Sequence, residues 1–237
     1  MADEDRRHVL WRAVSGAAGS PGQGTWGRSV CRNCVAALTG IDAAALTLRA
    51  TASAQDLLGA SADWAALLED HQYTLGEGPG ISAFTQGDPV LIDDLAAADH
   101  QWPAFTDAAQ SAGVAAVFAF PLQLGAIALG TLDLYRRTPG ALSPIAAAEA
   151  AALADLIALV LLTKADRAQT TDPDWIRRTG SYHDVHIATG MLAARQHISL
   201  ADAFTRLRAH AFVRGHTVLD VARDVIARRI DINELSE

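Results

Sequence analysis

The stretch VHIATGMLAARQHISLADAFTRLRAHAFVRGHTVLDVARDVI, Val185 to Ile226, carries three short apolar periodicities and cations that are all arginine. Trp175, Ile176, His183, Ile187 and Met191 recur at helical spacing, and so do Tyr182, Val185, Thr189 and Leu192. The first helix therefore has two apolar sides, one for local packing and one for a partner. Ser199 reads as the N-cap of a second helix with Asp202 near its positive end, and Leu200, Ala203, Phe204, Leu207 and Ala211 as its buried face. Gly215 ends it, and Thr217 caps a third helix in which Val218, Val221, Ala222, Val225 and Ile226 point inward.

Charge sets this piece apart. Residues 175–230 hold nine Arg, no Lys and four Asp, a balance of +5, against −13 for the rest of a chain whose total is −8. Arginine offers a planar fork to phosphate oxygens and stacks on bases, so a basic helical module points to nucleic acid. The alternative from charge alone is a solvated helix face.

The run ATGMLAARQHISLADAFTRLRAHAF followed by VLDVARDVI resembles the ANTAR domain. Ala188, Gly190, Leu192, Ala203, Leu207, Arg208, Ala211, Val221 and Ala222 stand where that family's pattern has them, while Thr189 replaces a lysine found in many members and Ala193 a methionine. The resemblance implies a three-helix RNA-binding module of bacterial antitermination regulators. It would hold paired hairpins of a nascent transcript and so prevent a terminator from forming. Arg195, Arg206, Arg208 and Arg214 are then expected at the RNA, with Thr189 and Ser199 hydrogen-bonding its backbone. Gly190 serves either close backbone approach or tight helix packing. Arg223, Arg228 and Arg229 are assigned to a solvated surface.

Upstream, 237 residues and 50% hydrophobic content allow two domains with real cores. MADEDRRHVLWRAV has neither an apolar core run nor a cleavage pattern, so a cytoplasmic location is expected. Residues 1–27 read as an N-terminal segment and linker, ending in the Gly-, Ser- and Pro-rich SGAAGSPGQGTWG. Cys31 and Cys34 sit on a buried helical stripe; a lone C-x-x-C lacks the further ligands zinc needs unless two copies in a dimer complete the site, and redox work would require a lowered thiol pKa. Residues 40–51 suit a strand, residues 56–73 irregular or helical material around Trp64, Leu67 and Leu68, and LGEGPG a tight turn into the ISAFTQG helix. That loop lacks the ending of a nucleotide-binding one. PVLIDDL is a strand, WPAFTDAAQSAG a helix, and VAAVFAFPLQLGAIALGTLDLY two strands; Pro121, Gly125 and Gly130 argue against a membrane span there.

LGEGPG, PVLIDDL, QWPAF and LGTLDLYRRTPGALS, taken with this order of elements, are similar to the GAF domain of actinobacterial GAF-ANTAR proteins. The expected architecture is α+β: an antiparallel-sheet GAF domain over residues 28–168, flanked by helices, then an all-α ANTAR domain over residues 174–232. The resemblance implies a pocket for an unidentified small ligand. Glu77, Asp93 and Asp94 suit either such a ligand or capping, His71 and His100 are isolated, and no cofactor, metal or membrane is expected. The helix after Pro144, with Ile145, Leu153, Leu156, Val160 and Thr163 at three-four spacing, suits coiled-coil pairing, and AQTTDPDW a hinge, so a homodimer is expected. Two other functional classes stay open, a thiol oxidoreductase using Cys31 and Cys34, and a phosphorelay fragment using His183.

Overall fold

The computed structural model describes residues 2–17, 24–51, 54–98, 101–168 and 182–236. Trp175, Ile176, His100 and the hinge around Pro173 lie outside them. Five strands, β1 (Ala43–Thr51), β2 (Ala54–Ala60), β3 (Val90–Ile92), β4 (Ala116–Leu124) and β5 (Ile127–Arg136), form one sheet in the order β2-β1-β5-β4-β3, and every pairing is antiparallel.

Alternation along the central strands assigns the two faces. Ala44, Leu46 and Leu48 of β1, Phe118, Phe120 and Leu122 of β4 and Leu132 and Leu134 of β5 point to one core. α1 (Ala2–Ser15), α2 (Gly24–Ala37) and α6 (Pro144–Ala168) cover that face. The N-terminal segment is thus part of the fold, since Leu10, Ala13 and Val14 are buried in this core. The linker expected up to residue 27 gives way to α2 at Gly24. A Cβ on Gly27 would overlap the backbone of Leu58, and one on Gly59 the backbone of Arg28, so these glycines let α2 lie directly on β2. Their composition imitates a linker while their purpose is packing.

α6 buries Ala150, Leu153, Ala154, Ile157 and Leu161 against the sheet, while Ile145, expected on the apolar stripe, is 72% exposed. Pro144–Lys164 is one helix, among the described residues, long and apolar enough to cross a membrane; here it is a layer of this core.

The opposite face is covered by α3 (Asp63–Leu75), α4 (Pro79–Gln86) and α5 (Pro103–Ser111). β2 occupies part of the span expected to be irregular or helical. A register shift between Leu46 and Thr47 interrupts its pairing with β1 and hides the two-residue period. Glu77 accepts hydrogen bonds from the first amides of α5, Ala104 N at 2.9 Å and Phe105 N at 3.1 Å, and Asp94 accepts one from Ala96 N at 2.9 Å. Capping and turn chemistry therefore engages both carboxylates.

The C-terminal segment folds into α7 (His183–Gln196), α8 (Leu200–Arg214), α9 (Val218–Ile226) and a 3-10 turn (Ile232–Ser236). Ser199 caps α8 by accepting from Asp202 N, and Thr217 caps α9 in a reciprocal box with Asp220. The buried faces follow the periodicity with one exception: Leu200, in the first turn of α8, is 64% exposed.

Candidate nucleic-acid interface and its docking seam

The C-terminal helices pack on α3, and α3 has two working faces. Toward the sheet, Glu69 and Gln72 join a buried polar cluster with Thr47, Arg49, Thr131, Asp133 and Tyr135. Tyr135 donates to Glu69 at 2.6 Å, and the Arg49 guanidinium lies 3.3 Å from Glu69. Burial, then the neighbouring Glu69 charge, pushes the Asp133 carboxyl well up. LGEGPG accommodates this crowding: a Cβ on Gly78 would overlap Gln72, and one on Gly80 would come within 2.6 Å of Asp133 Oδ1.

Away from the sheet, α3 holds the helical module. The Tyr73 ring lies 4.6 Å from Tyr182 and 5.1 Å from Phe204. Tyr182 donates to Asp70 Oδ1 at 2.7 Å. Thr74 Oγ1 accepts from Val218 N at 2.9 Å, satisfying an amide at the start of α9. Arg208 Nε donates to the Thr74 carbonyl at 2.8 Å, with its guanidinium against Gly76, where a side chain would overlap it. Burial lowers the Arg208 pKa.

The seven residues expected at RNA therefore do not share one surface. Arg195, together with Arg228 and Arg229, lines a cleft of about 710 Å³ beside the 3-10 turn. Arg206 bonds Gln196, which in turn donates to Ile232 O at 2.9 Å on the same cleft. The arginines thus gather at the end of α7, including two assigned from sequence to plain solvation. Arg229 is paired with Asp224, whereas the exposed side chains of Arg195 and Arg228 have no hydrogen-bond or ion-pair partner among the described residues. Arg228 also holds φ at +57°, a left-handed conformation costly for a side chain. Arg223 lies 3.4 Å from Asp184. Arg214 is exposed at the end of α8, beside Phe212 and Val213, which are 63% and 80% exposed. Sequence reasoning passed over that pair because it sought contacts among cations, hydroxyls and a glycine.

The two hydroxyls expected at the RNA backbone are differently placed. Thr189 is buried and donates to Val185 O at 2.7 Å, so it faces the module's own core. Ser199 is exposed, with its hydroxyl engaged in the α8 cap. A Cβ at Gly190 would meet open space, so no other helix of the same chain packs tightly on this glycine. Gly190→Ala is accordingly expected to stabilise the chain by up to ~1 kcal/mol, measured by urea unfolding. A fall in RNA affinity in the same variant would assign the glycine to close approach.

Cys31 and Cys34 are fully buried in α2, and Cys31 Sγ donates to Gly59 O at 3.4 Å. Burial pushes the Cys34 thiol up to about 12 and the Cys31 thiol well up, the reverse of what a nucleophile needs. Iodoacetamide at pH 8 should leave both thiols unmodified in the native chain and label them once it is unfolded; rapid native labelling would contradict this placement. His183, the phosphorelay candidate, lies exposed at the start of α7. Among the described residues no group of three or more His, Cys, Asp or Glu could hold a metal ion.

A family model for the GAF domain matches residues 25–161, and one for the ANTAR domain matches residues 181–226. No curated protein matches the chain. Among solved structures, the GAF domain from a phosphoenolpyruvate-protein phosphotransferase of Coxiella burnetii is 15% identical with a TM-score of 0.52, covering 70% of this chain and 96% of that one. Its Acinetobacter counterpart is 12% identical with a TM-score of 0.50, covering 70% and 97%. A free methionine-R-sulfoxide reductase from Neisseria meningitidis is 17% identical with a TM-score of 0.49, covering 68% and 91%. At these identities the likeness is one of fold. GAF and ANTAR are regulatory domains, of signal transduction and transcription control. The chain belongs to the GAF-ANTAR family, an α+β GAF domain followed by a helical ANTAR domain.

Proposed function

We propose that the chain is an RNA-binding antitermination regulator in which the segment 28–168 senses a signal and the segment 174–232, as a homodimer, captures paired hairpins of a nascent transcript. The observation that carries this most is the gathering of Arg195, Arg206, Arg228 and Arg229 around the end of α7. Guanidinium groups on an open cleft suit phosphates, and exposed Phe212 beside Arg214 suits an unpaired loop base. Fluorescence anisotropy with a labelled two-hairpin RNA and the full chain tests it. Arg195→Glu with Arg228→Glu should weaken binding by about tenfold or more, and unchanged affinity would remove the cleft from the interface.

The seam supplies the control. While the module rests on α3, Arg208 is spent on the Thr74 carbonyl and withheld from phosphate. Release from α3 frees it, so the sensor acts by setting the docked fraction.

Asp70 makes that fraction sensitive to acid. Burial above all, opposed by the Tyr182 hydrogen bond and by Arg223 and aided by Glu69 and Asp220, raises its carboxyl to about 6. Undocking returns the group to water and its ordinary range near ~4. Protonation therefore favours docking. That contribution is full below about pH 4 and lost as pH rises through 6. The radius of gyration from small-angle scattering should fall, and hairpin affinity with it, between pH 7.5 and 5, and Asp70→Asn should flatten both trends.

A further inference from the structure

The cleft of about 710 Å³ at the end of α7 is built partly outside the ANTAR match, which stops at residue 226. One wall is the tail that follows α9, and this tail is fixed to the module: Leu235 is buried in the helical core, and Gln196 donates to Ile232 O at 2.9 Å. Val225 and the half-buried Met191, Ile230 and Ile232 give the cleft an aliphatic floor, with the side chains of Arg195 and Arg228 at its rim. Asp231 is the one carboxylate among the lining residues. Its Oδ1 accepts from Asn233 N at 2.9 Å and Nδ2 at 3.0 Å, which leaves the second oxygen as an acceptor at the cleft's edge.

The backbone at this rim is costly. α9 ends in a Schellman turn, in which Arg228 N donates to Val225 O at 3.0 Å and Arg229 N to Asp224 O at 2.8 Å. The left-handed position of such a turn usually falls to glycine, and α3, α4 and α8 place Gly76, Gly87 and Gly215 there. Here it is Arg228, at φ +57°. The other left-handed non-glycine residue among the described ones is His197 at φ +55°, two positions past Arg195. Strain of this kind concentrates where a site needs its side chains in set places.

We infer that this cleft holds one unpaired nucleotide, with phosphate on Arg195 and Arg228, the base against the aliphatic floor, and an exocyclic amino group of the base donating to Asp231. An apolar floor with a few placed polar groups is the usual make-up of a small-ligand site, and guanidinium groups at its rim suit phosphate. Cytosine offers the amino group. Uracil, of the same size, turns a carbonyl oxygen to the carboxylate instead and is repelled. That the nucleotide belongs to a hairpin loop rests on the RNA reading above; the chemistry of the cleft does not.

Two titrations of the full chain test the site: anisotropy with hairpins that share one stem and carry a loop of cytidines, uridines or abasic residues, and calorimetry with cytidine and uridine monophosphate. The three loops hold the same phosphates, so an interface of charge alone binds them equally. The cytidine loop should bind about tenfold more tightly than the other two, and cytidine monophosphate should saturate at one per chain with uridine monophosphate weaker. In Asp231→Asn the amide oxygen still accepts from Asn233 while an N–H donor replaces the second carboxylate oxygen, so the preference should turn toward uridine. Arg228→Gly should weaken every loop by about tenfold without lowering the thermal midpoint, because glycine relaxes the left-handed turn. A lower midpoint with unchanged affinity would make Arg228 a structural residue and remove it from the site. Equal binding of all three loops with no heat from either mononucleotide, or an unchanged cytidine preference in Asp231→Asn, would overturn the site and leave the RNA reading standing. Selective binding of cytidine monophosphate with no hairpin bound would sink the RNA reading and keep the site for a free nucleotide. Binding of neither would sink both.

Discussion

Tyr182→Ala is expected to release the helical module from α3 and to raise hairpin affinity. The side chain is fully buried, its ring lies 4.6 Å from Tyr73, and its hydroxyl donates to Asp70. Truncating a buried aromatic costs about 3–5 kcal/mol, and here the loss falls on the seam more than on either core. A change of that size moves a two-state equilibrium from mostly docked to mostly released. Thermal unfolding should separate into two steps as the domains lose their shared contacts. RNA affinity should rise by about tenfold where the docked state dominates the wild type. Unchanged or lower affinity, with helical circular dichroism intact, would mean that the seam does not hold the module back.

Arg208→Glu should open the same seam and have the opposite effect on RNA. A carboxylate placed against the Thr74 carbonyl repels, so scattering should report release as it does for Tyr182→Ala. The freed module then lacks one phosphate contact and presents a negative charge instead. Hairpin affinity should drop by about tenfold or more, and the salt dependence should lose about one phosphate's worth of slope. The two variants thus share a shape and differ in binding. Wild-type affinity in Arg208→Glu would remove this residue from the interface.

Much of the architecture could be read along the chain because the apolar periods are local. The caps at Ser199 and Thr217, the strands after Val114 and the turn at LGEGPG are each set by residues within a few positions of one another. β2 was not legible, since its polar start at Gln55 and Asp56 and the register shift opposite it break the alternation. The start of α2 was obscured by a glycine-rich composition whose packing purpose appears only with Gly59 in place.

The candidate site was legible as an inventory and not as a surface. Arginines can be counted in sequence, yet Arg208 meets Thr74 across 134 positions, and only the folded chain brings them together. Thr189 shows the converse. A polar residue within a motif was expected to face the ligand, but its place on the Val185–Leu192 stripe turns it inward, where it bonds the preceding turn. The buried charges had a visible signal, since Arg49 and Asp133 each interrupt an apolar run of a central strand. Period-two alternation assigns both to one covered face, so they need each other or a ligand.

The most direct measurement is the affinity of the full chain for a two-hairpin RNA as a function of salt, with wild type and Tyr182→Ala side by side. The account predicts log-linear weakening with a slope of about 3 for four or so neutralised phosphates, and tighter binding by the released variant. Salt-independent binding, or identical curves for the two proteins, would contradict it.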